Sequence, residues 1–406
     1  MDNEKKSGIS IVVLVGALGY FVDIYDLILF SVVRKMSLKD LGVPDAAILS
    51  TGISLLNWQM TGMLLGGVIW GVLGDRRGRI SVLFGSIVLY SLANFMSGFT
   101  QSVEAYQFLR FFAGLGLAGE LGAAITLVTE SLSKEKRGVG TTLVASVGVS
   151  GAIAANLVAK FFNWRHAYMV GGGLGFILLL LRIGIFESGI FEKNRARKGI
   201  RHGDLGLLFE TRERILRYLR CILIGLPTWF VVGILITLAP EISKSRGVDG
   251  VDAGNAIMWA YSGLVAGDLC SGLLSQGIHS RRKVILLFLA MTGLFTYLNL
   301  NLGSSPTQYY CLACMSGFGV GYWAMFVTIA AEQFGTNLRA TVATTVPNWA
   351  RGALVPISSL FLALKSHGLP LVQAALWVGL SCVSLAMLAA WGLRETFGTE
   401  LDYLEQ

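Results

Sequence analysis

The sequence predicts an all-α membrane protein of twelve spanning helices, arranged as two pseudo-symmetric six-helix bundles. Three observations predict it. Apolar residues make up 54% of the 406 residues and charged residues only 14%, against about 25% charged in a soluble chain. Twelve apolar runs reach the roughly 20 residues that a spanning helix needs. Features of the first half also return in the second at offsets of 201 to 203 residues, as parallel structural repeats do.

The first six runs are 9–33, 47–73, 80–99, 105–128, 139–161 and 166–186. One long polar stretch follows, and then six more: 219–240, 252–277, 284–303, 307–331, 340–364 and 369–393. The expected organisation is a bundle over 1–186, a central loop over 187–218 and a second bundle over 219–406. The charged start, Met1 to Gly8, precedes a run too long for a cleaved signal and without a small-residue cleavage site, so the first span is expected to stay. Lys and Arg concentrate in the loops after even-numbered spans, as in Arg76-Arg77-Gly78-Arg79, Lys134 to Arg137 and Arg281-Arg282-Lys283. The positive-inside rule then places both termini in the cytoplasm.

The repeat is visible residue by residue. Glu130 and Arg137 follow span four as Glu332 and Arg339 follow span ten. Gly71 and Asp75, ahead of the basic loop after span two, match Gly272 and Gln276 after span eight. Gly114 and Gly116 match Gly317 and Gly319.

The net charge of +8 lies in short breaks between apolar runs, the pattern of membrane loops and not of a nucleic-acid-binding patch. Cys311 and Cys314 form a C-x-x-C inside an apolar run with no second ligand pair, and the four histidines are scattered. No metal site, cofactor or nucleophile–base pair is expected, and no enzyme.

The stretch Gly71-Val-Leu-Gly-Asp75-Arg76-Arg-Gly78-Arg79 resembles the signature between spans two and three of the major facilitator superfamily. Arg110, Gly114 and Gly116 resemble its span-four signature. Glu130 with Arg137-Gly138, Glu187-Ser188 and Glu395-Thr396-Phe397-Gly398 resemble the sugar-porter-like branch, from which Gly189 and Arg394 depart. Asp23-Ile24-Tyr25-Asp26 resembles the opening of phosphate–proton and aromatic-acid–proton symporters, and Gly119-Glu120 and Trp164-Arg165 resemble metabolite–proton symporters. The resemblance covers essentially the whole chain. It implies alternating access, with spans one, four, seven and ten lining the cavity.

An ionisable side chain at mid-bilayer costs roughly 2.5–3.5 kcal/mol on insertion scales and is a functional candidate by default. Asp23, Glu120, Asp268 and Arg351 lie near span centres, with Asp26 slightly further out. Two carboxylates on one cavity cannot both stay ionised cheaply, so Asp23, Asp26, Glu120 and Asp268 are the proton-coupling candidates. Arg351 is the cation suited to an anionic or zwitterionic substrate. The structural alternative pairs it with Asp268.

Tyr25, Asn57, Gln59, Trp229, Tyr261, Tyr322, Trp323 and Asn348 complete the candidate substrate site, with packing as the alternative for each aromatic. Pro227 permits a kink in span seven. Small-residue stripes at Gly62, Gly66, Gly67, Gly71 and Gly74, and from Ala145 to Ala155, suit close helix contact. Asp75, Arg76, Arg79, Glu130, Arg137, Glu332 and Arg339 are the candidates for a cytoplasmic gate.

The expected function is proton-coupled symport of a small anionic or zwitterionic metabolite by a monomer in the plasma (bacterial inner) membrane, driven by the proton gradient. The alternatives are a proton-coupled exporter of a metabolite or siderophore-like compound, and a non-transporting ligand sensor. Span five carries Gly148-Val-Ser-Gly151 without the proline usual in drug antiporters. Neither terminus carries the long regulatory segment expected of a sensor.

Overall fold

The computed structural model describes residues 2–77, 79–120, 144, 147–187, 205–398 and 405. Glu130, Arg137 and the side chains of Asp75, Arg76 and Arg79 lie outside the described residues. The first half comprises α1 (Asp2–Asp40), α2 (Ile48–Arg77), α3 (Arg79–Ser97), α4 (Val103–Leu117), α5 (Gly151–Phe161) and α6 (Trp164–Glu187). After α7 (Leu205–Phe209), span seven is built from α8 (Arg212–Ile224), α9 (Leu226–Phe230) and a π-helical segment (Val231–Ile236), followed by α10 (Ala239–Ser245). Spans eight and nine are α11 (Ala253–Ile278) and α12 (Arg281–Asn301). Span ten is α13 (Pro306–Gly319) and α14 (Trp323–Glu332), span eleven α15 (Thr336–Gly352) and α16 (Leu354–Ser366), and span twelve α17 (Leu371–Trp391).

A bilayer supplies no hydrogen bonds, so a spanning chain must satisfy its own backbone. Polar residues do this at the helix starts. Ser102, Thr211, Asp252, Ser280 and Ser305 each accept from an amide three residues on, at 2.8 to 3.4 Å. Seven helical stretches among the described residues are long and apolar enough to cross a membrane. Their outer faces expose large apolar groups, among them Leu273, Leu388, Trp391 and Leu180, a surface that suits lipid and not water.

The sequence repeat is a repeat of contacts. A Cβ at Gly62 would meet the carbonyl of Phe111, and one at Gly114 that of Gln59, joining α2 to α4. At the matching positions, a Cβ at Gly263 would meet the carbonyl of Cys314, and one at Gly317 that of Ala260, joining α11 to α13. Glycine is required at these four places because backbone meets backbone. Between the halves, α2 packs along α15 and α5 along α11.

Four spans expected to be continuous are interrupted. Helix α4 ends at Leu117, and α13 ends at Gly319, the same point of the repeat. Span seven breaks at Gly225, just before Pro227, because proline cannot donate to the preceding turn. Span eleven breaks at Ala353. The breaks fall at mid-depth, where non-helical backbone is tolerated only inside protein or along a cavity.

Candidate functional site

Around these breaks the two halves meet in a fully buried polar centre. Asp23 of α1 and Arg351 of α15 approach across the interface, Oδ2 to Nη2, at 3.5 Å. Both side chains are buried. Arg351 does not pair with Asp268, contrary to the structural alternative drawn from the sequence. Helix α1 presents Asp23 to the opposite half, whereas Asp268 turns towards span ten within its own half, accepting from the Ala324 amide at 3.0 Å.

Two indoles flank the guanidinium. Cζ of Arg351 lies 5.9 Å from the ring centres of both Trp229 and Trp323. The two rings meet edge to face at 6.0 Å, and both are buried. Tyr20 and Tyr261 complete the wall, each within electrostatic range of Arg351 and Asp23. Nε and Nη1 of Arg351, Oδ1 of Asp23 and Nε1 of Trp229 are buried without a hydrogen-bond partner among the described residues. Buried polar groups ordinarily have partners. This centre therefore holds unspent donors beside a cation between aromatic faces, a chemistry that accepts a planar anion.

The other candidates separate by position. Asn348 donates to the carbonyl of Ala118 at 2.9 Å, tying span eleven to the break in span four. Asn57 accepts from Ser358 at 2.7 Å, also across the halves. Gln59 is buried, and neither atom of its amide head has a partner among the described residues. Tyr322 donates to the carbonyl of Ile224 at 2.9 Å, joining the breaks of spans seven and ten. Tyr25 donates to Ala167 at 2.9 Å and so packs inside the first half. Asp26 lies within the same half, in electrostatic range of Arg110. Arg110 is held by Asn94 at 2.5 Å and Ser97 at 2.8 Å, with its guanidinium 4.5 Å from the Tyr168 ring. Glu332 pairs with Arg281 at 2.7 Å, within the second half.

Two partners escape a reading of the sequence. Glu120 is gripped by Arg182 of α6 through both terminal nitrogens, Nη1 to Oε2 at 2.9 Å. Gly19 leaves the space for this pair, since a Cβ there would meet both side chains. The signal for Arg182 was present: an arginine inside the apolar run Leu178 to Ile185. The second is Glu241 of α10, which pairs across the halves with Arg34 of α1 at 2.7 Å. Arg34 lies just past the apolar run 9–33, where charge is cheap and draws no attention.

The family model described as Major Facilitator Superfamily matches residues 16–353. The chain belongs to the major facilitator superfamily. A Bacillus subtilis protein named provisionally for niacin and nicotinamide transport is 26% identical over 355 residues, 84% of this chain and 86% of its own length. The 3-(3-hydroxy-phenyl)propionate transporter of Escherichia coli is 28% identical over 303 residues, 72% of each chain. The proton:xylose symporter solved with 6-bromo-6-deoxy-D-glucose superposes with a TM-score of 0.73 over 98% of both chains, at 16% identity. The protein shares that superfamily's fold, and its family and relatives are transporters of small molecules across membranes, not enzymes.

Proposed function

We propose that this major facilitator protein is a proton-coupled symporter importing a small aromatic carboxylate. The observation that carries the reading is Arg351, loosely paired with Asp23 at 3.5 Å and set between Trp229 and Trp323. An incoming carboxylate takes the open Nη1 position and, as Asp23 yields Nη2, the Nη1–Nη2 edge as a two-pronged acceptor, while its ring lies against the indoles. Asp23 then loses its counter-charge and becomes the group that accepts a proton. Substrate and proton thus neutralise a centre too dry to hold a single unbalanced charge. Niacin and 3-(3-hydroxyphenyl)propionate, named for the relatives, are both aromatic carboxylates of this kind.

The test is a thermal-shift screen with nicotinate, its uncharged counterpart nicotinamide and 3-(3-hydroxyphenyl)propionate, then uptake into proteoliposomes under an imposed pH gradient. The carboxylates should stabilise the protein and accumulate. Arg351→Ala should weaken binding about tenfold or more, in line with about 1.5–3 kcal/mol for a charge-assisted hydrogen bond. Asp23→Asn should keep counterflow exchange and lose accumulation. Uptake indifferent to the pH gradient, or equal binding of nicotinamide and nicotinate, would count against the reading.

A further inference from the structure

We propose that Asp268 acts as a positioning residue: it caps the half-helix that begins at Trp323 and so fixes one side of the central Arg351 cluster. The inference rests on that cluster being the substrate site.

The geometry begins with the break in span ten. Helix α13 stops at Gly319, and α14 restarts at Trp323. A helix start leaves its first amides without intrahelical partners, and at this depth neither water nor lipid supplies one. The residue at the N-cap position, Tyr322, makes no cap with its own side chain. Its hydroxyl is committed elsewhere, to Ile224. The missing acceptor comes from another helix. Oδ1 of Asp268, on α11, takes the amide of Ala324 at 3.0 Å. The carboxyl also faces the positive end of the α14 dipole.

What this cap holds is the cluster around Arg351. Trp323 is the first residue of α14, adjacent to the capped amide. Its ring stands 6.0 Å from Trp229 and 5.9 Å from the Arg351 guanidinium. The same ring packs against Phe326, one turn on, at 5.0 Å between ring centres. An uncapped first turn is the least constrained part of a helix, and loosening it moves this indole before any other residue.

The repeat underlines the assignment. The counterpart of Asp268 at the 201-residue offset is Gly67, which has no side chain to cap anything. The break in span four is met instead from the opposite half: Asn348 packs where a Cβ of Gly67 would stand and donates to the Ala118 carbonyl. The break in span four is also braced within its half, by Trp70 donating to the Leu115 carbonyl at 2.6 Å, whereas Asp268 holds the break in span ten within its own half. The C-terminal side of the Arg351 centre travels as one piece with Asp268.

A cap needs an acceptor, not a charge, and this separates positioning from proton carriage. Asp268→Asn keeps an acceptor of the same size, whereas Asp268→Ala removes it. Three measurements are made on the full-length protein: affinity for nicotinate and 3-(3-hydroxyphenyl)propionate, accumulation under a pH gradient, and the emission of Trp323. The last is the difference between each protein and its Trp323→Phe counterpart, and it needs no ligand. Asp268→Ala should shift that emission to the red and weaken affinity at least tenfold. Asp268→Asn should restore the wild-type emission, affinity within about threefold, and accumulation.

Asp268→Asn that binds normally but cannot accumulate would make Asp268 a proton carrier and overturn the proposal. So would an Asp268→Ala protein with unchanged emission and affinity. Should Asp268→Ala fail to fold, the Asn variant alone decides between acceptor and charge. Arg351→Ala measured in parallel guards the underlying reading. If it binds as wild type while Asp268→Ala still shifts the emission, the substrate site lies elsewhere and the capping role stands.

Discussion

Arg34 and Glu241 join the two halves at 2.7 Å near the end of α1, with exposures of 1% and 17%. Around them Arg34 also donates to the Thr237 carbonyl at 3.2 Å, and the Thr237 hydroxyl donates to Ser31 at 3.0 Å. Glu241 is partly exposed and keeps Lys35 at 3.6 Å, so losing Arg34 costs less than the roughly 3–5 kcal/mol of a fully buried pair. Each loss of about 1.4 kcal/mol still shifts a two-state balance tenfold. Arg34→Gln should therefore part the halves at this end. Spin labels at Ala46 and Asp249, exposed sites on the adjoining loops, should report longer and broader distances than in wild type. An unchanged distribution would show that the pair does not hold this end of the two halves together.

Glu120 has a buried, two-pronged partner in Arg182. Glu120→Gln leaves a guanidinium without its counter-charge, and should lower stability by roughly 3–5 kcal/mol. The double change Glu120→Gln with Arg182→Gln should recover most of that loss. Thermal melts in detergent of the two single variants and the double variant measure the coupling. Independent, additive losses would show that the pair is not structural.

The glycine contacts make a sharp comparison. Gly317→Ala places a methyl against the Ala260 carbonyl, a backbone atom that cannot move aside, whereas Gly272 has nothing within 4 Å. Overpacking of this kind costs typically 1–3 kcal/mol. Gly317→Ala should melt several degrees lower than wild type and Gly272→Ala within a degree or so. Gly114→Ala should behave as Gly317→Ala does, because the repeat places it against Gln59 in the same way.

A pH effect is expected at the chain's C-terminal segment. Partial burial pushes the Glu395 carboxyl up, but the Ser280 hydroxyl and the amides of Phe397, Arg281 and Arg282 outweigh it and hold the group below its ordinary 4.5. The amides lie at 3.0 to 3.2 Å. A lowered folded value means the contribution is complete above 4.5 and is lost as the pH falls through the folded value. Hydrogen exchange over Leu393 to Gly398 should accelerate in that acid window. Glu395→Gln should exchange faster at neutral pH and lose the acid step. A variant with the wild-type acid step would assign the effect to another group.

Much of the architecture was legible because hydropathy is local. Each apolar run can be recognised one window at a time, and a repeat at 201 to 203 residues survives because both halves solve the same packing problem. The intramembrane charges were legible for the same reason: Asp23, Glu120, Asp268 and Arg351 stand out by cost alone. The interruption at Pro227 was half legible, since proline marks a bend. The one at Ala353 carries a similar mark in Pro356, three residues on, whereas the one at Gly319 has no proline beside it.

Sequence by itself determined the class of molecule, the positions of its spans and which residues are too expensive to be incidental. Tertiary structure decided their partners. Arg351 meets Asp23, 328 positions away, and not Asp268; Glu120 meets Arg182; Arg34 meets Glu241. The cost of burying a charge belongs to the residue, so composition and depth reveal it. Its partner depends on how each helix is rotated and how the two halves are docked, and a step of one residue turns a helical side chain by about 100°, which no local window contains.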